Sequence, residues 1–151
     1  MPQATRTRDF HLEIPDGWVD RTMIAWSAPQ IPGQAVTPNM LIAYDMLQKG
    51  EDLAAYVNRQ LKELMGKANK FQLDLRRDAA LAAKPAIELL FQWDSGNGML
   101  KQRQIYSLLP DGRVMTLVNT ALASDFGRCE AQFLAIMQSF GWNQSGRNGG
   151  S

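Results

Sequence analysis

The stretch DLAAYVNRQLKELMGKA, Asp52–Ala68, is the segment around which the rest of the chain is arranged. Its apolar residues recur at three- and four-residue steps, which is the pattern of a single apolar stripe along a helix. The residues of this stripe are Leu53, Val57, Leu61, Leu64 and Ala68. Acidic residues lie at its start and lysines near its end, as the helix dipole favours. The sequence therefore predicts a first helix over Asp52–Ala68.

One polar residue, Gln60, interrupts the apolar stripe of this helix. On a helical wheel of about 100° per residue it falls inside the apolar sector or on its rim. At the rim, the amide reaches water. Inside the sector, its donors and its acceptor need partners, because buried polar groups are hydrogen-bonded. The pattern leaves both interpretations open.

Seven other stretches have the composition and the turn boundaries of strands. They cover residues 10–14, 22–28, 39–45, 71–75, 85–94, 99–109 and 114–121. The turn Ser95-Gly96-Asn97-Gly98 predicts a hairpin between the fifth and the sixth of them. A second helix is predicted from an N-cap at Ser124 to near Phe140, with Gly141 as the C-cap glycine. Its stripe is Phe126, Cys129, Phe133, Ile136, Met137 and Phe140.

These elements predict an α+β fold with a curved, largely antiparallel sheet of about seven strands and two helices. Residues 1–8 are polar and predicted to be frayed, and the Gly/Ser/Asn-rich stretch 143–151 is predicted to be a flexible tail. The folded domain is thus expected over residues 9–142. Two helices are expected to cover one face of the sheet.

The second and third strands, residues 22–28 and 39–45, are apolar on both faces. Apolar surface left uncovered by the helices must be buried in another way or serve as a binding site. Curling of the sheet and dimerisation are the two ways of burying it. Met23, Ala25 and Leu41 belong to this surface.

Composition excludes several classes of protein. The chain has 151 residues, enough for one domain, and a formal net charge of +1, which gives no field to attract nucleic acid or an anionic membrane. Its single cysteine, Cys129, makes no intramolecular disulfide, and the N-terminus lacks the apolar core of a signal peptide. We expect a cytoplasmic location, no nucleic-acid partner and no direct membrane anchoring.

The sequence offers little for catalysis. His11, the only histidine, lies on the polar face of the first predicted strand, and we expect neither a Cys-His pair nor a histidine-rich metal site. Cys129 lies in an apolar stripe, where a thiol behaves as a small hydrophobic group. Motifs for phosphate, dinucleotide or zinc-dependent chemistry are absent from the sequence. The expectation is a protein that is not an enzyme, with no cofactor and no metal.

Several short motifs resemble a known family. They are FHLEIPDGW at Phe10–Trp18, Ala55-Tyr56-Val57 with Arg59-Gln60-Leu61, FQW at Phe91–Trp93, Leu100, and Arg103-Gln104. Together they resemble the DcrB-like domain and, within it, the cytoplasmic Eag-type chaperones of type VI secretion effectors. The resemblance spans about residues 9–142.

This resemblance implies a homodimer of Mog1/PsbP-like domains that shields the apolar N-terminal transmembrane helices of a secreted effector before its export. It also implies a binding groove in which aliphatic side chains contact the client helices and glutamines hydrogen-bond to them. The matching positions here are Met23, Ala25, Leu41, Gln60, Leu64, Ala68, Leu100 and Gln104. Water is expected to satisfy the amides of Gln60 and Gln104 in the free protein.

Two other functions remain open from the sequence. One is a small-ligand module with a pocket in the curved sheet, where Gln102, Gln104 and Tyr106 supply polar contacts. The other is a structural adaptor that binds a folded partner, since a fold alone does not define a function.

Overall fold

The computed structural model describes residues 3–6 and 10–143, with the backbone alone for 3–6. Eight strands and two helices lie in these ranges. In chain order they are β1 Gln3–Arg6, β2 His11–Ile14, β3 Met23–Ser27, β4 Asn39–Met46, α1 Leu53–Lys67, β5 Asn69–Leu81, β6 Lys84–Asp94, β7 Met99–Leu108, β8 Arg113–Leu122 and α2 Ala123–Ser139. Of the predicted tail 143–151, only Asn143 falls within the described residues.

Six of the strands form one sheet in the order β3-β4-β8-β7-β6-β5, and every neighbouring pair is antiparallel. This confirms the predicted α+β class. The β6–β7 hairpin is also confirmed, with the amide of Ser95 donating to the carbonyl of Gly98 at 3.0 Å. The positive φ angles of Gly96 and Gly98 explain why glycine occupies both positions.

Two strand predictions need correction. Residues 1–8 were expected to be frayed, but Gln3–Arg6 pairs with β2, while positions 1, 2, 7 and 8 lie outside the described residues. The strand predicted at 71–75 extends over Asn69–Leu81. In both cases pairing with a neighbouring backbone extends a strand through residues whose side chains show no apolar alternation.

Helix α1 begins at Leu53, one residue after the predicted start, because Asp52 is its N-cap. The carboxylate of Asp52 accepts a hydrogen bond from the amide of Ala55 at 2.8 Å. The helix ends one residue earlier than predicted. Ala68 is its C-cap in an extended conformation, and its amide donates to the carbonyl of Leu64 at 2.8 Å. Strand β5 starts at the next residue, so the chain must leave the helix there.

The predicted caps of the second helix are wrong. Helix α2 starts at Ala123, directly after the end of β8, and Ser124 is an exposed residue of its first turn. The helix ends at Ser139 with Phe140 as the C-cap, rather than at Gly141. Since no loop separates β8 from α2, there is no room for a capping residue with a free side chain. Phe126 and Phe133 are nevertheless buried, as the stripe predicts.

The two helices lie on opposite faces of the sheet, so the expectation that they share one face is wrong. Tyr56 and Val57 of α1 pack against Leu89, Phe91 and Tyr106. The α2 side chains pack on the other face, in clusters that contain Leu117, Ile105 and Ala121. A helix about 10 Å wide covers roughly two strand spacings of about 4.8 Å. Each face is therefore covered only in part.

An ion pair holds the start of α1. Arg59 donates to the carboxylate of Glu51 through Nε at 2.9 Å and Nη2 at 3.0 Å, and Glu51 also accepts from the amide of Gln48. These hydrogen bonds, those from Arg59 first, lower the pKa of Glu51 from 4.5 to about 2. A carboxyl group whose pKa is lower in the folded state than in the unfolded state stabilises the fold at pH values above its unfolded-state pKa. This contribution is lost as the pH falls through the folded-state pKa.

We therefore expect the free energy of unfolding to fall less steeply for Glu51→Gln than for the parent between about pH 4.5 and pH 2. The measurement is the urea midpoint at half-unit pH steps for the parent and the variant. Glu63→Gln, at an exposed position of the same helix, is the matched control and should retain the parental slope. Equal slopes for the parent and Glu51→Gln would contradict the role of this ion pair.

Candidate functional site

Over five of its six strands, the face of the sheet on which α1 packs is almost free of charge, whereas β5 adds Arg76 and Asp78 to this face. The cross-strand register places the following residues of β3, β4, β8, β7 and β6 on it: Met23, Ala25, Ser27, Asn39, Leu41, Ala43, Asp45, Val114, Thr116, Val118, Thr120, Leu122, Leu100, Gln102, Gln104, Tyr106, Ile87, Leu89, Phe91 and Trp93. Asp45 is the one charged residue among them, and it accepts a hydrogen bond from the hydroxyl of Tyr56 at 2.8 Å. The opposite face carries Glu88, Lys101, Arg103 and Arg113.

Helix α1 leaves part of this uncharged face open. Its core residues lie over β6 and β7 and reach Val114 at one end of β8, whereas Leu41 and Ala43 of β4 are half-buried and Met23 and Ala25 of β3 are exposed. We call this open strip, bounded on one side by α1, the groove. From β7 to β3 there are three strand spacings, about 14 Å, whereas a helix with its side chains is about 10–12 Å wide. The groove is therefore about as wide as one helix.

The hydrogen bonds of α1 show which side of the helix faces the groove. Asn58 accepts from Arg76 of β5 at 2.5 Å, so this side of the helix points toward β5. Gln60 lies about 200° further around the helix, on the side toward β8 and β4. The Tyr56–Asp45 hydrogen bond to β4 fixes the same orientation. Gln60 thus stands on the wall of the groove.

The five sheet residues that the sequence singled out lie on this one face. Ala25, Leu41 and Gln104 form a single cross-strand row, with the buried Val118 between Leu41 and Gln104. Met23, 62% exposed, lies in the next row, opposite Ala43. Leu100 lies further along β7, opposite Trp93. Leu41 is half-buried and Ala25 is exposed, so the row is open toward β3.

The three helix residues that the sequence singled out form a second group. Gln60, Leu64 and Ala68 line a cavity of about 280 Å³ together with Trp93 and the charged residues Glu63 and Lys67. Since Trp93 is paired with Leu100, this cavity connects the helix group to the strand group. All eight predicted residues therefore lie on the α1 side of the sheet.

The two glutamines differ in a way that the sequence did not indicate. Gln104 donates from Nε2 to Oε1 of Gln102 at 2.6 Å and accepts from the hydroxyl of Tyr106, while Gln102 donates to Oγ1 of Thr120 at 2.8 Å. The expectation that water alone satisfies Gln104 is therefore wrong. The sequence signal available for these hydrogen bonds was the spacing of Gln102, Gln104 and Tyr106 at every second residue, which places them on one face of a strand. Gln60 is half-buried and its side chain has no hydrogen-bond partner within residues 10–143.

The ionisable groups near the groove are arranged as hydrogen-bond donors rather than as reactive groups. Burial, followed by the Asp45 carboxylate, raises the pKa of Tyr56 above its usual value, and burial raises the pKa of Tyr106. Both phenols therefore remain protonated at neutral pH. In the part of the chain that the structure describes, no group of three or more His, Cys, Asp or Glu side chains is arranged to hold a metal ion.

Cys129 and Arg103 have structural positions on the α2 face. Cys129 is half-buried beside Phe126 and Phe133, and burial raises the pKa of its thiol. Arg103, 7% exposed, donates to Glu88 of β6 at 2.8 Å and to Glu130 of α2 at 2.6 Å. The sequence singled out Arg103 only as part of a family motif. Its side chain joins β7 to β6 and to α2.

Comparison with known proteins identifies the family of this chain. The family model described as DcrB matches residues 10–139. The chain belongs to the DcrB family. It is also 31% identical, over 89% of its length and 92% of the relative's, to the protein named Effector EagT6 of Pseudomonas aeruginosa. The resemblance drawn from the short sequence motifs is confirmed.

Solved structures give the same fold. The Pseudomonas aeruginosa protein PA94, titled a protein of unknown function and putative regulator, matches with a TM-score of 0.81 at 24% identity over 95% of this chain and 99% of that one. LpqN of Mycobacterium tuberculosis matches with a TM-score of 0.60 at 19% identity, over 78% and 68% of the two chains. Cyanobacterial PsbP of Synechocystis matches at 0.53 and 10%, over 94% and 92%. The PsbP-like fold prediction is confirmed.

Neither of the two described helices is both long enough and apolar enough to cross a lipid bilayer.

The difference between the two glutamines gives a stability prediction. Gln104→Ala should lower the free energy of unfolding by about 0.5–1.5 kcal/mol, because it removes hydrogen bonds to Gln102 and Tyr106. Gln60→Ala should change it by less than about 0.5 kcal/mol, as at an ordinary surface position. Urea denaturation of the two variants measures both values. A larger loss for Gln60→Ala than for Gln104→Ala would contradict the hydrogen-bond assignment.

Proposed function

We propose that this protein is a non-enzymatic, cytoplasmic chaperone-adaptor. It binds and shields the apolar N-terminal transmembrane helices of a type VI secretion effector before the effector is loaded and exported. Similarity to Effector EagT6 supports a role associated with a type VI effector. The proposal that the protein binds apolar helices rests on one observation, the groove, which is an uncharged strip of helix width beside α1.

The physical need for such a groove is clear. A transmembrane helix has about 20 predominantly apolar residues, and its exposure to water costs about 25 cal/mol per Å². A charged groove would leave its own ions desolvated against the client, which is strongly unfavourable. The strip of the sheet from β7 to β3, whose only charge is the hydrogen-bonded Asp45, avoids this cost.

The eight residues have two kinds of role in the proposal. Met23, Leu41, Leu64 and Leu100 supply the apolar contact area. Ala25 and Ala68 are small, and small residues allow a helix backbone to approach closely. These contacts are non-directional and suit clients of different sequence, which fits a protein that must hold a helix and later release it.

Gln60 and Gln104 supply polar contacts to the client. The Gln60 amide has no protein partner within residues 10–143 and is available in full. Gln104 is held in place by Gln102 and Tyr106 and retains one amide hydrogen for a client group. A buried polar group of the client, or an exposed carbonyl at the end of its helix, would be satisfied by these amides.

The working form in this proposal is a homodimer, as the family resemblance implies. The doubly apolar β3 and the exposed side chains of Met23, Ile24 and Trp26 on its two faces support this assembly. The binding domain is residues 9–142, and the stretch 143–151 is not required for client binding.

The small-ligand alternative has less support. Gln102, Gln104 and Tyr106, its proposed polar contacts, already hydrogen-bond to one another. A ligand would have to replace these hydrogen bonds rather than complete them.

Substitution of the groove floor tests the proposal. Leu41→Asp should abolish capture of an effector that is co-expressed with the chaperone, and of a 20-residue Leu/Ala helix fused to a soluble carrier protein. The introduced carboxylate is hydrated in the free protein and desolvated in the complex. Co-purification measures capture, and circular dichroism measures folding.

Leu73→Asp is the matched control, because Leu73 is a 40% exposed leucine of β5, at the opposite edge of the sheet. It should leave capture unchanged. If a folded Leu41→Asp protein captured the effector and the helix fusion at the parental level, the proposed groove would be contradicted. Unfolding of Leu41→Asp would assign this residue to the core instead.

The amide of Gln60 has its own test. Gln60→Ala should weaken binding of the effector by about 1–3 kcal/mol, roughly five- to a hundredfold, without lowering the melting temperature. Gln60→Leu keeps the bulk and removes the polar atoms, so it should weaken binding to a similar extent. If Gln60→Leu binds as tightly as the parent, the amide fills space and makes no hydrogen bond to the client.

A further inference from the structure

A second open space lies on the α2 side of the sheet, on the face opposite to the groove. It is a cavity of about 550 Å³, within the roughly 300–1,000 Å³ of ordinary ligand sites. Residues 77–82 at the outer edge of β5 form one wall, and Leu134, Met137 and Gln138 of α2 form the other. Because successive strand residues point to opposite faces, six consecutive residues touch one cavity only where it opens onto the edge of their strand. We call this space the β5 cleft.

The edge of β5 beside the cleft is available for pairing. Within the described residues, β5 is paired on one side only, with β6. Register shifts interrupt this pairing between Asn69 and Leu75, and the pairing is regular from Leu75 to Leu81. An irregular edge resists the addition of another strand, whereas a regular edge with unpaired backbone groups is a template for it. The half of β5 that lines the cleft is such a template.

The turn between β5 and β6 shows which backbone groups of this edge point outward. The turn residues Ala82-Ala83 have positive φ angles of 46° and 71°, and Leu81 lies opposite Lys84 across them. Residues that flank such a two-residue turn hydrogen-bond to each other, and hydrogen-bonded pairs alternate along an antiparallel ladder. Asp78 and Ala80 belong to the other pairs, so their amide and carbonyl groups point away from the sheet. These two residues are about 7 Å apart, which is the two-residue repeat of an extended chain.

The end of the cleft at Arg77 offers unused hydrogen-bond donors. Arg77 lies opposite Glu88 on the α2 face and donates to it from Nε at 2.9 Å. The Arg77 side chain is 60% exposed, and its Nη1 and Nη2 have no partner within residues 10–143. Glu88 also accepts from the buried Arg103, so its carboxylate already has two cationic partners. A carboxylate from another molecule would therefore find free donors on the Arg77 guanidinium.

The rest of the cleft is apolar and is closed at its far end. Ala79 is the next residue of β5 on this face, and its small side chain leaves room for a large neighbour. Leu134 and Met137 of α2 line the same space, and Leu134 is 43% exposed. Trp142 donates from Nε1 to the carbonyl of Leu81 at 2.9 Å, which holds the segment after α2 against the end of β5. The cleft is thus preformed, with an apolar part and a cationic part.

We propose that the β5 cleft binds an extended segment of a partner protein as an additional strand, antiparallel to β5. A large apolar side chain of this segment lies opposite Ala79 and packs on Leu134. A carboxylate two residues further along the segment lies opposite Arg77. The backbone groups of Asp78 and Ala80 supply hydrogen bonds that do not depend on sequence, and the two side-chain contacts supply selectivity.

This inference goes beyond the proposed function. The groove takes apolar helices on the α1 side, whereas the β5 cleft takes an extended segment on the α2 side. An extended chain suits the cleft better than a compact ligand, because the unpaired backbone groups repeat at strand spacing. Antiparallel addition continues the pattern of the sheet, in which every neighbouring pair is antiparallel.

A labelled peptide tests the proposed recognition pattern. The probe is a short threonine-rich peptide in which a phenylalanine precedes an aspartate by two positions, and fluorescence anisotropy measures its binding. We expect saturable binding with a Kd below about 1 mM. The peptide with these two residues exchanged should bind at least about tenfold more weakly, because antiparallel pairing then puts the carboxylate against Leu134. Absence of saturable binding would overturn the proposal, and equal binding of the two peptides would overturn the antiparallel register.

N-methylation of the probe tests whether the backbone edge is used. Methyl groups on the two peptide amides that face Asp78 and Ala80 should abolish binding, because they remove hydrogen-bond donors and keep the strands apart. A methyl group on the phenylalanine amide between them, which points to solvent, should weaken binding by no more than about threefold. Equal effects at the two kinds of position would contradict strand addition.

A proline in β5 tests the same edge from the side of the protein. Ala80→Pro removes the outward amide and leaves the pairing with β6 in place, since an edge strand tolerates proline where the N–H faces outward. It should weaken binding of the probe by at least about tenfold. Its circular dichroism and its capture of the Leu/Ala helix fusion should match the parent. Parental affinity for the probe in this variant would overturn strand addition.

Substitutions on α2 and β5 separate the two side-chain contacts. Leu134→Asp should weaken binding of the probe by at least about tenfold, whereas Ile136→Asp, at a similarly exposed position on another side of α2, should not. Arg77→Gln should weaken it by about two- to fivefold at low salt, and should not affect a probe with asparagine in place of aspartate. Arg76→Gln, on the α1 face, is the matched control. Equal effects of the two arginine substitutions would overturn the position of the carboxylate.

Light scattering tests the other possible occupant of this edge. If Ala80→Pro lowers the oligomeric state and the parent binds no probe, the β5 edge pairs with a second copy of the chain and the proposal is wrong. Failure of the parent to capture the helix fusion, with the probe still bound, would count against the proposed function alone.

Discussion

The arrangement of this protein depends on how little of the sheet one helix can cover. Helix α1 is held over β6 and β7 by Tyr56 and Val57, which pack on Leu89, Phe91 and Tyr106. The helix is about two strand spacings wide, and the face continues for three more strands toward β3. Because α2 packs on the other face, the strip is open toward β3: Leu41 and Ala43 are half-buried, and Met23 and Ala25 are exposed. A gap of helix width beside a helix is the result.

Charge is distributed so that the strip remains suitable for apolar contact. The ion pairs of Arg103 with Glu88 and Glu130 lie on the α2 face, where they join two strands to a helix. The groove face has hydrogen-bonded amides and hydroxyls at Gln102, Gln104, Tyr106 and Thr120. Polar side chains that bond to one another hold this floor in place without presenting a charge to the groove.

The sequence predicted the parts of the fold that depend on local pattern and missed those that depend on the path of the chain. Alternating apolar residues located β6 and β7, and Asp52 marked the start of α1, because these signals are local. Ser124 was wrong as a cap since β8 runs directly into α2. The candidate residues on β7 came from family resemblance, and those on β3 and β4 came also from the doubly apolar pattern of these strands. Only the cross-strand register shows that Ala25, Leu41 and Gln104 form one row. The partners of Gln104 were not predicted, because a spacing of two residues places side chains on one face of a strand but does not specify which hydrogen bonds they form.

The most direct measurement of the central claim is the position at which a bound apolar helix contacts the chain. A photoreactive benzoylphenylalanine placed at Ala43, half-buried on the groove face, should cross-link to the apolar segment of a co-purified effector. The same group placed at Ile136, exposed on α2, should give no cross-link. Cross-linking from position 136 and not from position 43 would contradict the account, because the client would then lie on the opposite face of the sheet.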